Sequence, residues 1–333
     1  MTTRPVGRIF TVSHLDASSG ALPGALAGSV AAIGNFDGLH LGHRAVFHAA
    51  RTMAQGLGAP CVLLTFEPHP RAFFRPDVKM FRLTPQAVKA ALAERMGLDG
   101  VVVMSFDAAL SGTSAADFIS GLLVGRLGLR GVAVGHDFHF GKGREGSPAL
   151  LAAEGPSLGL SVEVIPPLQR GGAPVSSSAI RAHLEAGQVE PAAALLGYRW
   201  IVRSVVGHGD KRGRTLGFPT ANMKTPEGCG LRHGIYAVRM AVDGVVRNGV
   251  ASYGRRPTFD DGPPMLEVFL FDFSGDLYGK SVDVEFCAWL RGEEKFDSLD
   301  ALIAQMNRDA EAARAALARG PDTPAPSLLP LRL

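Results

Sequence analysis

From residue 30 onward, short apolar runs alternate with segments whose apolar positions recur every three or four residues. The runs at 30–33, 61–66, 100–104, 131–135 and 161–165 predict strands, and the periodic segments at 45–55, 85–96, 115–127 and 148–157 predict helices. Such strand–helix alternation builds a parallel sheet with helices on both faces. Residues 182–197 read as two short helices separated by Gly187 and Pro191. From Tyr198 the rhythm changes. Strand-like runs at 200–206, 235–242, 245–251, 266–273 and 282–289 follow one another through turns, and Asp243-Gly244 between two of them is a hairpin signal. Several antiparallel strands in so short a stretch predict a small closed barrel. A helix follows at 298–317, with Leu299, Leu302, Ile303 and Met306 as its apolar stripe, and then a proline-rich segment. The expected fold is α/β: a parallel-sheet domain over 1–187, a small antiparallel β-barrel with a C-terminal helix over 188–318, and a flexible tail over 319–333.

Composition narrows the function classes. A chain of 333 residues is long enough for two cores. It is 46% apolar and 20% charged with a formal net charge of +3, so nothing argues for a nucleic-acid partner. The N-terminus lacks an apolar signal region, and no apolar run is long enough to span a bilayer. Three scattered cysteines (Cys61, Cys229, Cys287) suit a reducing compartment rather than a disulfide framework. The expectation is a cytoplasmic protein with no membrane partner; oligomeric state is not readable.

Ligands of parallel sheets sit beyond the carboxyl ends of the strands, so those ends carry the chemistry. The first reads V-A-A-I-G-N-F-D-G-L-H-L-G-H, Val30 to His43. A strand that passes through glycines into a helix N-terminus presents backbone N–H groups to an anion. Gly34, Phe36, Asp37 and Gly38 form the turn, and His40 and His43, three apart, share one face if the helix has begun. Two imidazoles there could stabilise charge on a transferring phosphate. Other readings stay open on these residues alone. H-x-x-H could bind a metal, although it lacks the glutamate and spacing of H-E-x-x-H, or the histidines could be cap and surface residues. A second strand end carries T-F-E-P-H-P-R (Thr65–Arg71), and another carries G-H-D-F-H-F-G-K-G-R (Gly135–Arg144), which includes Asp137. Each could be a solvated loop; their coincidence on one sheet edge favours a site. No Walker A sequence occurs. Further on, V-S-S-S-A-I-R (Val175–Arg181) opens a helix where Ser177 and Ser178 offer hydroxyls and N–H groups, with Arg181 one turn along; a plain capped helix is the alternative.

In the barrel, Gly207 to Asn222 is a cationic loop with Gly207, Gly209, Gly213 and Gly217. These glycines allow close backbone approach or a closing flap. Lys211, Arg212 and Arg214 could meet triphosphate oxygens, while Thr220 and Asn222 supply hard oxygen ligands for Mg²⁺. A mobile hairpin of solvated charges is the alternative. In L-E-V-F-L-F-D-F, strand alternation places Glu267 on one face with Phe269, Phe271 and Phe273. Exposing three phenylalanines is costly, so that face is expected inward, with Glu267 a poorly hydrated general base.

Together, G-N-F-D-G-L-H-L-G-H, T-F-E-P-H-P, G-H-D-F-H-F-G-K-G-R and S-S-S-A-I-R resemble, in order and spacing, the bacterial bifunctional riboflavin kinase/FAD synthetases. The resemblance extends through P-T-A-N, G-R-R-P-T-F at 254–259, L-E-V-F-L-F-D-F, D-L-Y-G-K at 276–280 and R-G-E-E-K-F, and so covers nearly the whole chain. It implies a nucleotidyltransferase-type first domain that transfers AMP from ATP to FMN and a barrel that phosphorylates the ribityl 5′-hydroxyl of riboflavin. It further implies that His40 and His43 contact the ATP phosphates, that Asp137, Ser177, Ser178 and Arg181 hold ATP, that Thr220 and Asn222 hold Mg-ATP, and that Glu267 takes the hydroxyl proton. Ser178 stands where the family usually has threonine, Arg203 where glycine is usual, and Ser252-Tyr253 for an asparagine-isoleucine pair. The expected protein binds riboflavin, FMN and ATP, uses Mg²⁺ in both steps and releases FAD. Rival readings are a chain with only one activity, or a flavin- or nucleotide-responsive binding protein without turnover.

Overall fold

A computed structural model describes residues 9–12, 22–208, 218–255, 264–319 and 326–331. The chain folds into two compact units, one from Met1–Lys79 and Lys89–Val175, the other from Met80–Val88 and Ser176–Arg332. The predicted loop residues Gly209, Lys211, Arg212, Gly213, Arg214 and Gly217, much of G-R-R-P-T-F and part of the tail lie outside the described residues.

In the first unit six strands form one sheet in the spatial order β1 (Ile9–Val12), β4 (Gly100–Ser105), β3 (Cys61–Glu67), β2 (Val30–Ile33), β5 (Gly131–Gly135), β6 (Ser161–Ile165). Every neighbouring pair is parallel. Burial on both faces explains the unbroken apolar runs: Val30, Ala31, Ala32 and Ile33 are all buried. Edge strand β6 is half exposed, and a two-residue ladder of β7 (Gln169–Arg170) and β8 (Ala173–Pro174) follows it.

The helices are α1 (Leu41–Leu57), α2 (Pro70–Phe74), α3 (Gln86–Arg95), α4 (Ala108–Gly112), α5 (Ala115–Asp117) and α6 (Pro148–Glu154). α1 begins four residues before the predicted start, because its first turn is H-L-G-H rather than an apolar stripe. The expected helix over 115–127 changes winding: α5 runs into a π-helical stretch, Phe118–Arg126. From β2 the chain steps to β3 and β4 on one side, then returns to place β5 on the other. The carboxyl ends of β2 and β5 therefore flank the topological switch point, where such sheets open a crevice.

In the second unit α7 (Ser177–Glu185) and α8 (Val189–Leu196) precede a closed barrel. Its strands are β9 (Ile201–Gly207), β10 (Thr220–Lys224), β11 (Gly234–Val242), β12 (Val245–Gly254), β13 (Met265–Leu270) and β14 (Ser281–Arg291). They close in the order β10-β13-β12-β11-β14-β9, antiparallel throughout. Asp243 and Gly244 both take positive φ in the β11–β12 turn, as the hairpin signal predicts. β10, read from sequence as the end of a loop, is a strand.

Two expectations for this unit are corrected. Strand β13 ends at Leu270, and its buried positions are Leu266, Val268 and Leu270. Glu267 and Phe269 therefore lie on the opposite, half-covered face rather than inward. The phenylalanine cost is met another way: Phe269 and Phe271 pack in a cluster with Ala313, Ala316 and Leu317 of the C-terminal helix α9 (Leu299–Ala318). The buried side of α9 is correspondingly Asp309, Ala313, Ala316 and Leu317, while Leu299 of the predicted stripe is exposed. Asp309 receives a bidentate pair from Arg291, at 2.8 and 2.6 Å.

Candidate active sites

The first site is built at the end of β2. Gly34 lies against the Phe36 ring, where an added Cβ would come within 3.1 Å. Phe36 and Leu39 hold positive φ (46° and 38°), with Gly38 at 96°, so the turn is tightly wound and disfavoured for two of its residues. His40 is the N-cap of α1, its Nδ1 accepting from the His43 backbone N–H at 3.3 Å. The two imidazoles stack at 3.5 Å between centroids, and the Phe36 ring meets His43 edge-on at 5.1 Å. Gly42 fits because a Cβ there would press within 3.2 Å of the His40 ring. Burial, the His40 ring and the ammonium of Lys89 together hold His43 well below the usual histidine range, so it is neutral at physiological pH. Asp37 is buried in the same turn.

At the switch point a cavity of about 710 Å³ opens beside this turn. Asn35 and Asp137 line it from the ends of β2 and β5, and six phenylalanines (Phe66, Phe74, Phe106, Phe118, Phe138, Phe140) supply its walls. Phe138 and Phe140 stack at 5.5 Å, and Phe118 approaches Phe140 at 4.9 Å. His69, Arg71 and Arg144 add polar and cationic groups. His69 caps α2, accepting from the Arg71 N–H at 3.1 Å, with Pro70 at the first helical position. The three motif-bearing strand ends thus converge on one crevice.

Ser177, Ser178 and Arg181 belong to the second unit, on α7. The cap of that helix is Ser176, which places Ser177 and Ser178 in its first turn. Arg181 donates from Nε to the Phe81 carbonyl at 2.7 Å.

The barrel brings Thr220, Asn222 and Glu267 onto one wall. Asn222 pairs across the ladder with Glu267, which pairs on its other side with Ser252. The Asn222 Nδ2 donates to the Thr220 carbonyl at 3.2 Å. Hydroxyl, carboxamide and carboxylate are the hard oxygens that suit Mg²⁺. Among the described residues there is no group of three or more His, Cys, Asp or Glu that could hold a metal. A second cavity of about 280 Å³ reaches Thr220 and is walled by Val268, Leu270, Phe273, Asp276 and Tyr278. The His208 ring lies on Tyr278 at 4.2 Å.

Arg203 makes a bidentate pair with Asp283, directly across the ladder, at 2.6 and 2.8 Å, and its Nη2 donates to the Leu331 carbonyl at 3.3 Å. Tyr253 is buried, its hydroxyl donating to the Cys229 carbonyl at 3.2 Å. Arg203 and Tyr253, two of the positions that depart from the expected pattern, thus have local partners. Sequence reasoning passed over Lys89 and Gly42; for Lys89 the available signal was a lone lysine in the apolar run V-K-A-A-L-A.

Comparison with known proteins finds two family models in sequence order. The family model for FAD synthetase matches residues 23–179, and that for riboflavin kinase matches residues 196–317. The bifunctional riboflavin kinase/FMN adenylyltransferase of Pseudomonas fluorescens is 42% identical over 289 residues, covering 86% of this chain and 93% of its own. The proteins of that name from Escherichia coli K12 and Bacillus subtilis are 38% and 35% identical, with 86% of this chain covered in each case and 92% and 91% of theirs. A crystal structure described as a macrolide-efflux protein from Streptococcus pneumoniae superposes with a TM-score of 0.81 at 28% identity, over 92% of this chain and 99% of that one. Among the described residues no helix is long and apolar enough to cross a membrane. With both family models matched in order and relatives aligned over most of their length, the chain belongs to the bifunctional riboflavin kinase/FMN adenylyltransferases.

Proposed function

We propose that the barrel unit transfers the γ-phosphoryl group of ATP to the ribityl 5′-hydroxyl of riboflavin, and that the parallel-sheet unit joins AMP from a second ATP to the resulting FMN, releasing pyrophosphate. The observation that carries this reading is the switch-point crevice, where a histidine-flanked helix N-terminus adjoins a cavity walled by phenylalanines. One end suits a triphosphate and the other a flat aromatic ring.

In adenylyl transfer an FMN phosphate oxygen attacks the α-phosphorus of ATP and pyrophosphate leaves. His40 and His43 meet the charge that builds on the phosphates. A neutral His43 still donates one hydrogen bond and costs no charge repulsion against the buried Lys89. Asp137 holds the nucleotide from the end of β5, and Gly34, Phe36, Asp37 and Gly38 shape the phosphate turn. Ser177, Ser178 and Arg181 are assigned to ATP by their match to the family motif.

In the kinase step Glu267 takes the 5′-hydroxyl proton as that oxygen attacks the γ-phosphorus and ADP leaves. Thr220 and Asn222 would hold Mg²⁺, which would supply positive charge against the phosphate oxygens. Gly209, Lys211 and Arg214 are assigned to the same triphosphate on their sequence alone. Three free cysteines accord with a reducing, cytoplasmic setting. Purified protein given riboflavin, ATP and Mg²⁺ is expected to form FMN, FAD, ADP and pyrophosphate, followed by chromatography of the flavins. Absence of both flavin products would refute the reading.

A further inference from the structure

Helix α3 carries a lysine where its neighbours are core residues. Val88, Ala90, Ala91, Leu92 and Ala93 are buried, and Lys89 is itself 1% exposed. An ammonium removed from water is strongly disfavoured unless its protons are taken up by well-placed acceptors. Here Nζ donates to the Asn35 carbonyl at 2.8 Å and to Thr65 Oγ1 at 2.9 Å. The Thr65 hydroxyl in turn donates to the same Asn35 carbonyl at 3.1 Å. Asn35 is the first turn residue after Gly34, lines the switch-point cavity, and precedes Phe36 and Leu39, the two non-glycine residues held at positive φ. A strained turn persists only where its surroundings over-determine it. Lys89 and Thr65 converge on the one carbonyl from which that turn departs.

We propose that Lys89, through its grip on the Asn35 carbonyl, is a positioning residue for adenylyl transfer, fixing the Gly34–His43 turn so that its N–H groups and the His40–His43 pair meet the triphosphate. The inference rests on the adenylyltransferase reading of this unit. A plain helix-to-sheet tie would be served by an aliphatic side chain, which would not bring a cation beneath a phosphate-facing turn. The same ammonium stands near His43, whose other charged or titratable neighbours on this turn are His40 and Asp37. Lys89 reaches no solvent, so its effect passes through the turn rather than through direct contact with bulk ligand.

The test is Lys89→Met, which keeps length and removes charge and donors, assayed for both half-reactions beside parent and His43→Ala. FMN-to-FAD turnover is expected to fall about 100-fold in kcat, the scale of a misplacement near 1 Å, with KM for FMN within about 2-fold. Riboflavin phosphorylation by the same preparation is expected to be unchanged, which reports an intact chain. A kcat near that of the parent, or parallel loss of both activities, overturns the inference. Should Lys89→Met fail to fold, Thr65→Val decides: it deletes one of the two donors to Asn35, and kcat must fall about 10-fold at unchanged KM, with a parental kcat counting against. If His43→Ala also leaves FAD formation intact, the adenylyl site itself is misassigned and the inference falls with it; if His43→Ala is inactive while Lys89→Met is not, only the inference falls.

Discussion

His43 is held neutral by three neighbours at once: the desolvating turn, the His40 ring stacked on it, and the Lys89 ammonium. Its folded-state value lies below the ordinary 6.5, so between the two values the unfolded chain binds a proton that the folded chain refuses. The sign is that stability present above pH 6.5 is lost as pH falls through that window. Thermal unfolding of the parent is expected to shift downward between about pH 7.5 and about pH 5, and His43→Gln to flatten that shift. In catalysis, removing such a group costs roughly 100- to 1,000-fold in rate, so His43→Ala is expected to stop FAD formation at that scale while FMN formation continues. Glu267→Gln is expected to do the reverse, with riboflavin phosphorylation down about 100-fold or more. Both residues stood out in the local motifs as candidates. The face of Glu267 was not, because alternation fixes which residues share a side and leaves open which side the core takes.

Among the elements, α9 shows how a misread stripe hides the contact that matters. Its buried side centres on Asp309, a charged residue that an apolar template excludes. Asp309 is admitted because Arg291, from the end of β14, forks onto it and Gln305 donates to Oδ1 at 2.8 Å. Asp309→Ala leaves the Arg291 guanidinium without its main acceptor while that side chain is still only 18% exposed. The expected cost is about 2–3 kcal/mol, below the roughly 3–5 kcal/mol of a fully buried broken pair because Arg291 keeps some solvent. It is measured as a lower denaturant midpoint for the barrel unit, with the unfolding of the sheet unit unmoved. Helix α1 gives the complementary lesson. Its start is set by a capping histidine and by Gly42, features that a hydrophobic period does not register.

At the scale of the molecule, each unit has its own core and its own cavity. Two single-site variants should therefore complement. Glu267→Gln mixed with His43→Ala is expected to convert riboflavin to FAD, with FMN passing through solution, although neither variant does so alone. Chelation of divalent cations is expected to halt riboflavin phosphorylation, and added Mg²⁺ to restore it, if Thr220 and Asn222 hold the ion as proposed.

The linear order of residues determined the class of each half, because burial on both faces leaves unbroken apolar runs and a hairpin leaves Asp243-Gly244. It also placed glycine, histidine and charged residues at the ends of the strands, which the structure brings together at one crevice. Tertiary structure alone decided what those offsets face. The partnership of Lys89 with Asn35, 54 positions away, of Arg203 with Asp283, and of Asn222 with Glu267 depends on which elements lie side by side. Non-local contact carries no periodic trace in sequence, and a buried charge can be recognised as tolerable only when its partner is in view.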